Sequence, residues 1–247
     1  MEIKALEFYK NGYMKGAFAF GGSENKPYAE EILGASLQGY VINTGSEVIL
    51  VDTGMPSETP EFDGKPGQMI YMGEKVNDFV DALKVAGYEP KDIDKVIITH
   101  KHPDHTGELR LFENSKVYIS EVEADAMKLS GENIIKVKFE SGSYKNFDKS
   151  EKIADGIYMI AAEGHTNGNS MLVVEDKNLT YMFQGDITYT DKALKENLMS
   201  VVFEDRAVAM ETLNKVREFI KSNDTIYLGT HTPESLESLN ELKIMKL

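Results

Sequence analysis

All five histidines of this chain stand just behind short apolar runs, and that placement constrains the fold more than any other feature. His100, His102 and His105 follow Val96-Ile97-Ile98, His165 follows the run at 157–161, and His231 follows the run at 225–228. Asp186 sits in the same way behind Tyr181-Met182-Phe183. Short β-branched and apolar runs bounded by turn residues read as buried strands. Open sheets build their sites at the carboxyl ends of strands. A single histidine in such a place is usually structural, and a single Gly-Asp is usually a turn. Every histidine being there at once points to strand ends that converge on one site.

The richest segment is Thr99-His100-Lys101-His102-Pro103-Asp104-His105-Thr106-Gly107. Imidazole and carboxylate are the ligands expected for zinc and other first-row metals. On a loop leaving a strand, the alternate residues His100 and His102 point into one cavity. Asp104 and His105, one turn further on, reach a second ion. A solvated polar loop would explain one histidine, but not three with an aspartate packed behind a buried strand. The chain has no cysteine. Disulfides, thiolate ligands and a cysteine nucleophile are therefore excluded, and a cytoplasmic location is expected.

The rest of the sequence frames that site. Strands are expected at 3–9, 17–20, 40–42, 48–51, 96–98, 116–119, 157–161, 171–174, 179–183 and 225–228, with a hairpin turn at Thr44-Gly45-Ser46. Helices are expected at 76–83, 107–112, 121–129 and 206–221, with another after Pro233. Residues 55–73, rich in proline and glycine and including Pro66, read as a long loop of the kind that often covers a site, and 130–150 as a second loop or insertion. Strands and helices alternate without a linker, so one layered α/β domain spanning 1–247 is expected. No run approaches the ~20 apolar residues of a membrane helix, and no secretory signal opens the chain. A formal charge of −14 disfavours nucleic acid, and the lysines between 136 and 152 are interrupted by acids. The expected partner is a small molecule, with neither nucleic acid nor membrane.

The pattern His100-x-His102-x-Asp104-His105, followed in order by His165, Asp186 and His231, resembles the metallo-β-lactamase superfamily, as does Val51-Asp52-Thr53-Gly54. The resemblance spans nearly the whole chain. It implies a four-layer αβ/βα sandwich, two packed mixed sheets flanked by helices, with metals at one edge. It also implies that His100, His102 and His165 bind one ion, that Asp104, His105 and His231 bind a second, and that Asp186 bridges them. Asp52 would either orient ligands or simply cap a turn. Several branches fit less well. Secreted zinc β-lactamases place a cysteine in the second site, and diiron oxygen reductases place glutamate where His102 stands. Glyoxalase II enzymes carry a further helical domain, and too few residues follow His231 to supply one.

The branch this chain most resembles is the N-acyl-homoserine lactone lactonases, through Ile49-Leu50-Val51-Asp52-Thr53-Gly54-Met55-Pro56, Val85-Ala86-Gly87-Tyr88-Glu89-Pro90 and Asp186-Ile187-Thr188-Tyr189-Thr190. Pro103 departs from the bulky residue common at its position. The resemblance implies a dinuclear hydrolase in which a metal-bridging hydroxide opens a lactone. Tyr189 would serve the oxyanion, and Asp104 or Asp186 would carry the proton to the leaving alkoxide. The alternative for Tyr189 is an aromatic packed under a loop. The expected cofactors are two divalent ions, zinc first, with Mn2+ or Fe2+ as alternatives. Met55, Phe62, Met69, Tyr71, Met199 and Phe203 are the expected lining for an acyl chain. The same chemistry could serve another ester, a thioester or a phosphodiester. A protein of a different class, an iron-containing redox or sensor protein, would share the ligands.

Overall fold

In the computed structural model, which describes residues 1–21, 26–65 and 67–247, the short central strands β3, β5, β10, β11 and β12 are buried almost continuously, as strands packed on both faces are. Pro66, part of the expected 55–73 loop, lies outside the described residues. In chain order the elements are β1 (Glu2–Lys15), α1 (Gly16–Ala19), β2 (Ile32–Asn43), β3 (Val48–Val51), β4 (Ile70–Lys75), α2 (Phe79–Val85), β5 (Lys95–Ile97) and α3 (Pro103–Thr106). Then come β6 (Lys116–Ser120), α4 (Glu121–Ala126), β7 (Ile134–Val137), β8 (Ser150–Ala154), β9 (Ile157–Ala161), β10 (Ser170–Asp176) and β11 (Leu179–Phe183). The chain closes with α5 (Asp191–Glu196), α6 (Arg206–Ser222), β12 (Thr225–Leu228) and α7 (Glu234–Glu241).

The strands form a 7-stranded sheet, β4-β1-β2-β3-β5-β6-β7, and a 5-stranded sheet, β12-β11-β10-β9-β8. Both are mixed: β3, β5, β6 and β7 pair in parallel, as do β11 and β12, whereas the remaining pairs are antiparallel. Because side chains alternate across a strand, each strand serves two packing layers. Ile49, Val51, Ile97, Leu172, Val174, Phe183, Ile226 and Leu228 meet between the sheets. Their neighbours Leu50, Val96 and Ile98 pack outward with Phe79 and Leu83 of α2 and Ala124 of α4. On the other sheet Met171, Val173, Met182 and Tyr227 pack outward against Leu213, Val216, Phe219 and Ile220 of α6. The result is the expected αβ/βα order of layers. Each fully buried aliphatic or aromatic side chain contributes about 1.5–3 kcal/mol, so these layers have a stability of their own.

Several local expectations are corrected. Residues 17–20 lie in and after the short helix α1 instead of a strand. Ala19 and Phe20 are buried, and an apolar run this short fits a buried helical turn as well as a strand. Strand β2 begins well before residue 40, at Ile32, and β1 extends to Lys15. The 55–73 loop ends early, because Ile70 opens β4 against β1. The 130–150 segment contains β7, paired in parallel with β6, and its Tyr144 and Phe147 pack with Phe219 of α6. The helix expected at 107–112 is only a 3-10 turn at Leu109–Leu111, preceded by α3, and that expected at 121–129 ends at Ala126.

Candidate metal centre

Strand direction brings the histidines together. In the larger sheet β3 and β5 run in parallel and end at Asp52 and at the 99–105 segment. In the smaller sheet β9 and β11 both run antiparallel to β10, and β12 is parallel to β11. All three therefore end at the same edge, where they deliver His165, Asp186 and His231. Buried hydrogen bonds tie the sheets together there. Ser170 donates to the Thr99 carbonyl from its N–H at 2.9 Å and from its hydroxyl at 3.0 Å. Gln38 Nε2 donates to the Gly229 and Thr232 carbonyls at 2.8 Å each, and the Tyr40 hydroxyl donates to Gly229 at 2.6 Å, which fixes the loop of His231 against β2.

Two facing groups result, His100–His102–His165–Asp186 and Asp104–His105–His231. In the first, His100 Nε2 and His102 Nδ1 are 3.0 Å apart, and His165 Nε2 lies 3.2 Å from the former and 3.0 Å from the latter. Asp186 Oδ2 is 3.5 Å from His165 Nε2 and 3.9 Å from His100 Nε2. In the second, His231 Nε2 is 3.4 Å and His105 Nε2 4.0 Å from Asp104 Oδ2. Asp186 faces both groups, with Oδ2 3.1 Å from His231 Nε2 and Oδ1 3.3 Å from His105 Nε2. A tetrahedral zinc with ~2.0–2.1 Å bonds to nitrogen separates its ligand atoms by about 3.3 Å, close to the spacing of the first group. His105 Nε2 and Asp186 Oδ1 are buried without a hydrogen-bond partner. Orphaned buried polar atoms are costly. An all-imidazole-and-carboxylate set with inward lone pairs fits divalent first-row metals.

The outer nitrogens of His100, His105 and His165 are held so that their inner ones face the site, whereas His231 Nδ1 is buried without a hydrogen-bond partner. His105 Nδ1 lies 2.7 Å from Asp52 Oδ2, His165 Nδ1 3.2 Å from the Val202 carbonyl, and His100 Nδ1 3.1 Å from Thr99 Oγ1. Thr99 in turn donates to Asp52 from its N–H at 2.8 Å and its hydroxyl at 2.9 Å. Asp52 thus does both things that the sequence left open: it caps the Thr99 turn and orients a histidine. Sequence reasoning missed the roles of Thr99 and the Val202 carbonyl. Thr99 had one signal, its place beside His100, whereas a backbone carbonyl has none.

Burial drives the His100 imidazole well below its usual range and His165 down to about 4, so both are neutral and ready to ligate. Burial also opposes charge on His105 and His231, but Asp186 and its neighbouring carboxylates outweigh it and raise both. Burial likewise works against an ionised Asp186, yet His231 and His105 hold its carboxyl well below the normal carboxylate range. A metal binding at the second group therefore displaces protons.

Tyr189 is buried beside both groups. Its ring stacks on His231 at 5.2 Å and meets Phe18 edge-on at 5.0 Å. Burial first, then the Asp186 and Asp104 carboxylates, push its phenol well above 10, so it remains a proton donor. Next to Asp104 opens a cavity of about 270 Å3 lined also by Leu37, Met55, Phe62, Gln68, Ile70, Tyr71, Met72 and Pro103. Of the lining expected from sequence, Met55, Phe62 and Tyr71 are in place. Met199 instead packs beside His165 and Asp186 in a small crevice. Met69 and Phe203 are exposed and lie outside this lining, because Ile70 enters β4 and the 200–205 segment runs over His165.

A model of the metallo-beta-lactamase superfamily matches residues 38–231, and the chain belongs to that superfamily. It is accordingly a metallo-hydrolase with a candidate histidine–aspartate metal site. Among curated relatives, an N-acyl homoserine lactonase of a Bacillus species is 26% identical over 211 residues, covering 83% of this chain and 84% of that protein. The N-acyl homoserine lactonase AiiB of Agrobacterium fabrum is 24% identical over 233 residues, covering 85% and 84%. The fold also matches a B. thuringiensis AiiA mutant solved with N-decanoyl-L-homoserine at its active site, with TM-score 0.74, 22% identity, and 96% and 95% of the two chains covered. The dizinc lactonase AidC matches with TM-score 0.66 at 17% identity, covering 94% and 90%.

Proposed function

We propose that the chain is a dinuclear metal-dependent lactonase acting on N-acyl-homoserine lactones as a single-domain, cytoplasmic enzyme. His100, His102 and His165 would hold one ion and Asp104, His105 and His231 the other, with Asp186, which faces both groups, available to each. Zinc is the first choice because the set is all nitrogen and oxygen and spaced for short bonds. When bound, such a pair supplies hydroxide at neutral pH and polarises a carbonyl. The observation that carries the reading is the largely apolar cavity lined by Asp104, a member of the second candidate ligand group.

The chain's own residues then divide the work. Tyr189 donates its phenolic hydrogen to the carbonyl oxygen as negative charge develops there. Asp104, half-buried at the mouth of the cavity, takes up a proton and returns it to the leaving alkoxide, and Asp186 can share that task. Met55, Phe62, Tyr71 and Met72 exclude water from the acyl chain. The lining contains no arginine or lysine, so an anionic phosphodiester would lack a cationic side chain there, whereas an uncharged lactone needs none. The similarity to proteins named as N-acyl homoserine lactonases supports the same substrate class.

The decisive experiment offers a lactone, a thioester, a phosphodiester and a β-lactam to the zinc- and manganese-loaded protein. Acyl-homoserine lactone turnover well above the others is expected. Undetectable lactone turnover beside brisk phosphodiester cleavage would remove the lactonase assignment.

A further inference from the structure

Two carboxylates outside the ligand groups tie together the loops that carry His100, His102 and His165. Glu123, in α4, is 0% exposed. Its Oε2 accepts the backbone N–H of Lys101 at 3.0 Å, and its Oε1 accepts the backbone N–H of Gly168 at 2.8 Å. Lys101 stands between His100 and His102, and Gly168 lies on the loop of His165. Glu204, ahead of α6, joins the same loops from outside. It accepts from Lys101 Nζ and from the Asn167 N–H, each at 2.6 Å. Its own N–H donates to the Gly164 and His165 carbonyls at 2.9 and 3.0 Å.

A buried carboxylate is tolerated when its oxygens are satisfied, and here each oxygen of Glu123 has one backbone N–H, from a different loop. The two acceptors are rigidly spaced within one planar group, so the loops cannot separate without leaving a buried charge unpaired. The approach is tight as well. A Cβ on Gly168 would lie 2.5 Å from Ser120 Oγ and 2.8 Å from Glu123 Oε1, so only glycine admits the carboxylate. The loops spring from different sheets, β5 in one and β9 in the other. Their spacing sets the 3.0 and 3.2 Å approaches of His165 to His102 and His100.

We infer that Glu123 is a positioning residue of the metal centre, setting the distance between the His100–His102 loop and the His165 loop, with Glu204 as its outer brace. This rests on reading the first histidine group as a metal site. In Glu123→Gln the amide accepts one N–H but turns its own NH2 toward the other, which breaks one tie. Chelator competition should then show one of two ions bound about 10- to 100-fold more weakly, the loss typical when a supporting partner of a ligand is removed. The other ion should be unaffected, and the visible spectrum of the cobalt-substituted protein should change. Val117→Ala, a truncation in the buried layer beneath α4, should lower Tm while leaving affinity and spectrum as in wild type. Glu204→Gln should weaken the same ion by a few-fold. Wild-type affinity and an unaltered cobalt spectrum in Glu123→Gln would overturn the assignment. Should that variant fail to fold, the same result in Glu204→Gln would overturn it. Failure of the unaltered protein to bind cobalt would instead remove the metal reading beneath it.

Discussion

At the scale of single residues, the site depends on which atom each side chain presents. Asp52 adopts φ 59°, a left-handed conformation uncommon for residues other than glycine, in which aspartate is among the better tolerated. That conformation lets one carboxylate serve Thr99 and His105 together, which leaves His105 Nε2 facing Asp186. Tyr189 is the residue whose chemistry is most directly testable. Its phenol is a donor at any ordinary pH, so under the proposed mechanism removing the hydroxyl would take away one hydrogen bond to the oxyanion. Tyr189→Phe should lower lactone kcat by about ten- to a thousandfold with metal content unchanged, as steady-state kinetics and metal analysis would check. An unchanged kcat would reduce Tyr189 to an aromatic packed under a loop. The candidate ligand residues that the structure gathers were legible in sequence because histidine and aspartate behind an apolar run carry their own signal. Glu123 was not, since nothing local distinguishes a buried glutamate at the start of α4 from a solvated one.

At the scale of elements, the central strands were the most legible part, because strands buried on both faces read as short continuous apolar runs bounded by turn residues. What failed were apolar stretches too short to show a period, such as 17–20, and polar stretches whose strand partner is remote in sequence. β7 is an example: it is recognisable only through its pairing with β6. Helix α5 makes a prediction at this scale. Asp191 opens it, is buried, and has one carboxylate oxygen without a partner. Burial first, and then the Glu234 carboxylate, push it up to about 6. A carboxyl raised in the folded state contributes stability that is complete below its unfolded value near 3.8. That contribution is lost as pH rises through 6. Asp191→Asn should therefore be more stable than wild type by about 1–3 kcal/mol above that range, with the difference fading toward pH 4. Denaturant titrations at pH 4, 6 and 8 would measure it, and a difference independent of pH would contradict the assignment.

At the scale of the whole molecule, the metal site and the fold are coupled without being the same thing. The layers around Leu172, Phe183, Val96 and Phe219 are buried independently of the histidines. Metal analysis should give about two ions per chain, because the residues gathered here exceed what one tetrahedral zinc accepts. Chelation should lower Tm, since an ion at 1,000 times its Kd adds about 4 kcal/mol. The circular dichroism of helix and sheet should survive it. Loss of that signal on chelation would show that the layers do not stand alone.

The sequence by itself determined the central buried strands, the superfamily resemblance and the identities of the candidate ligands. Each of these is written in local pattern: a short apolar run for a buried strand, donor chemistry for a ligand, and order along the chain for the motif. Only the tertiary structure decided that Met55, Phe62 and Tyr71 line a cavity while Met199 packs beneath the site and Met69 and Phe203 face outward. It also decided that Glu123 reaches Lys101 and Gly168, residues 22 and 45 positions away along the chain. Such contacts depend on which strand ends are neighbours and how far apart two loops stand. Those distances are set by the packing of one sheet on the other, which no short stretch of sequence encodes.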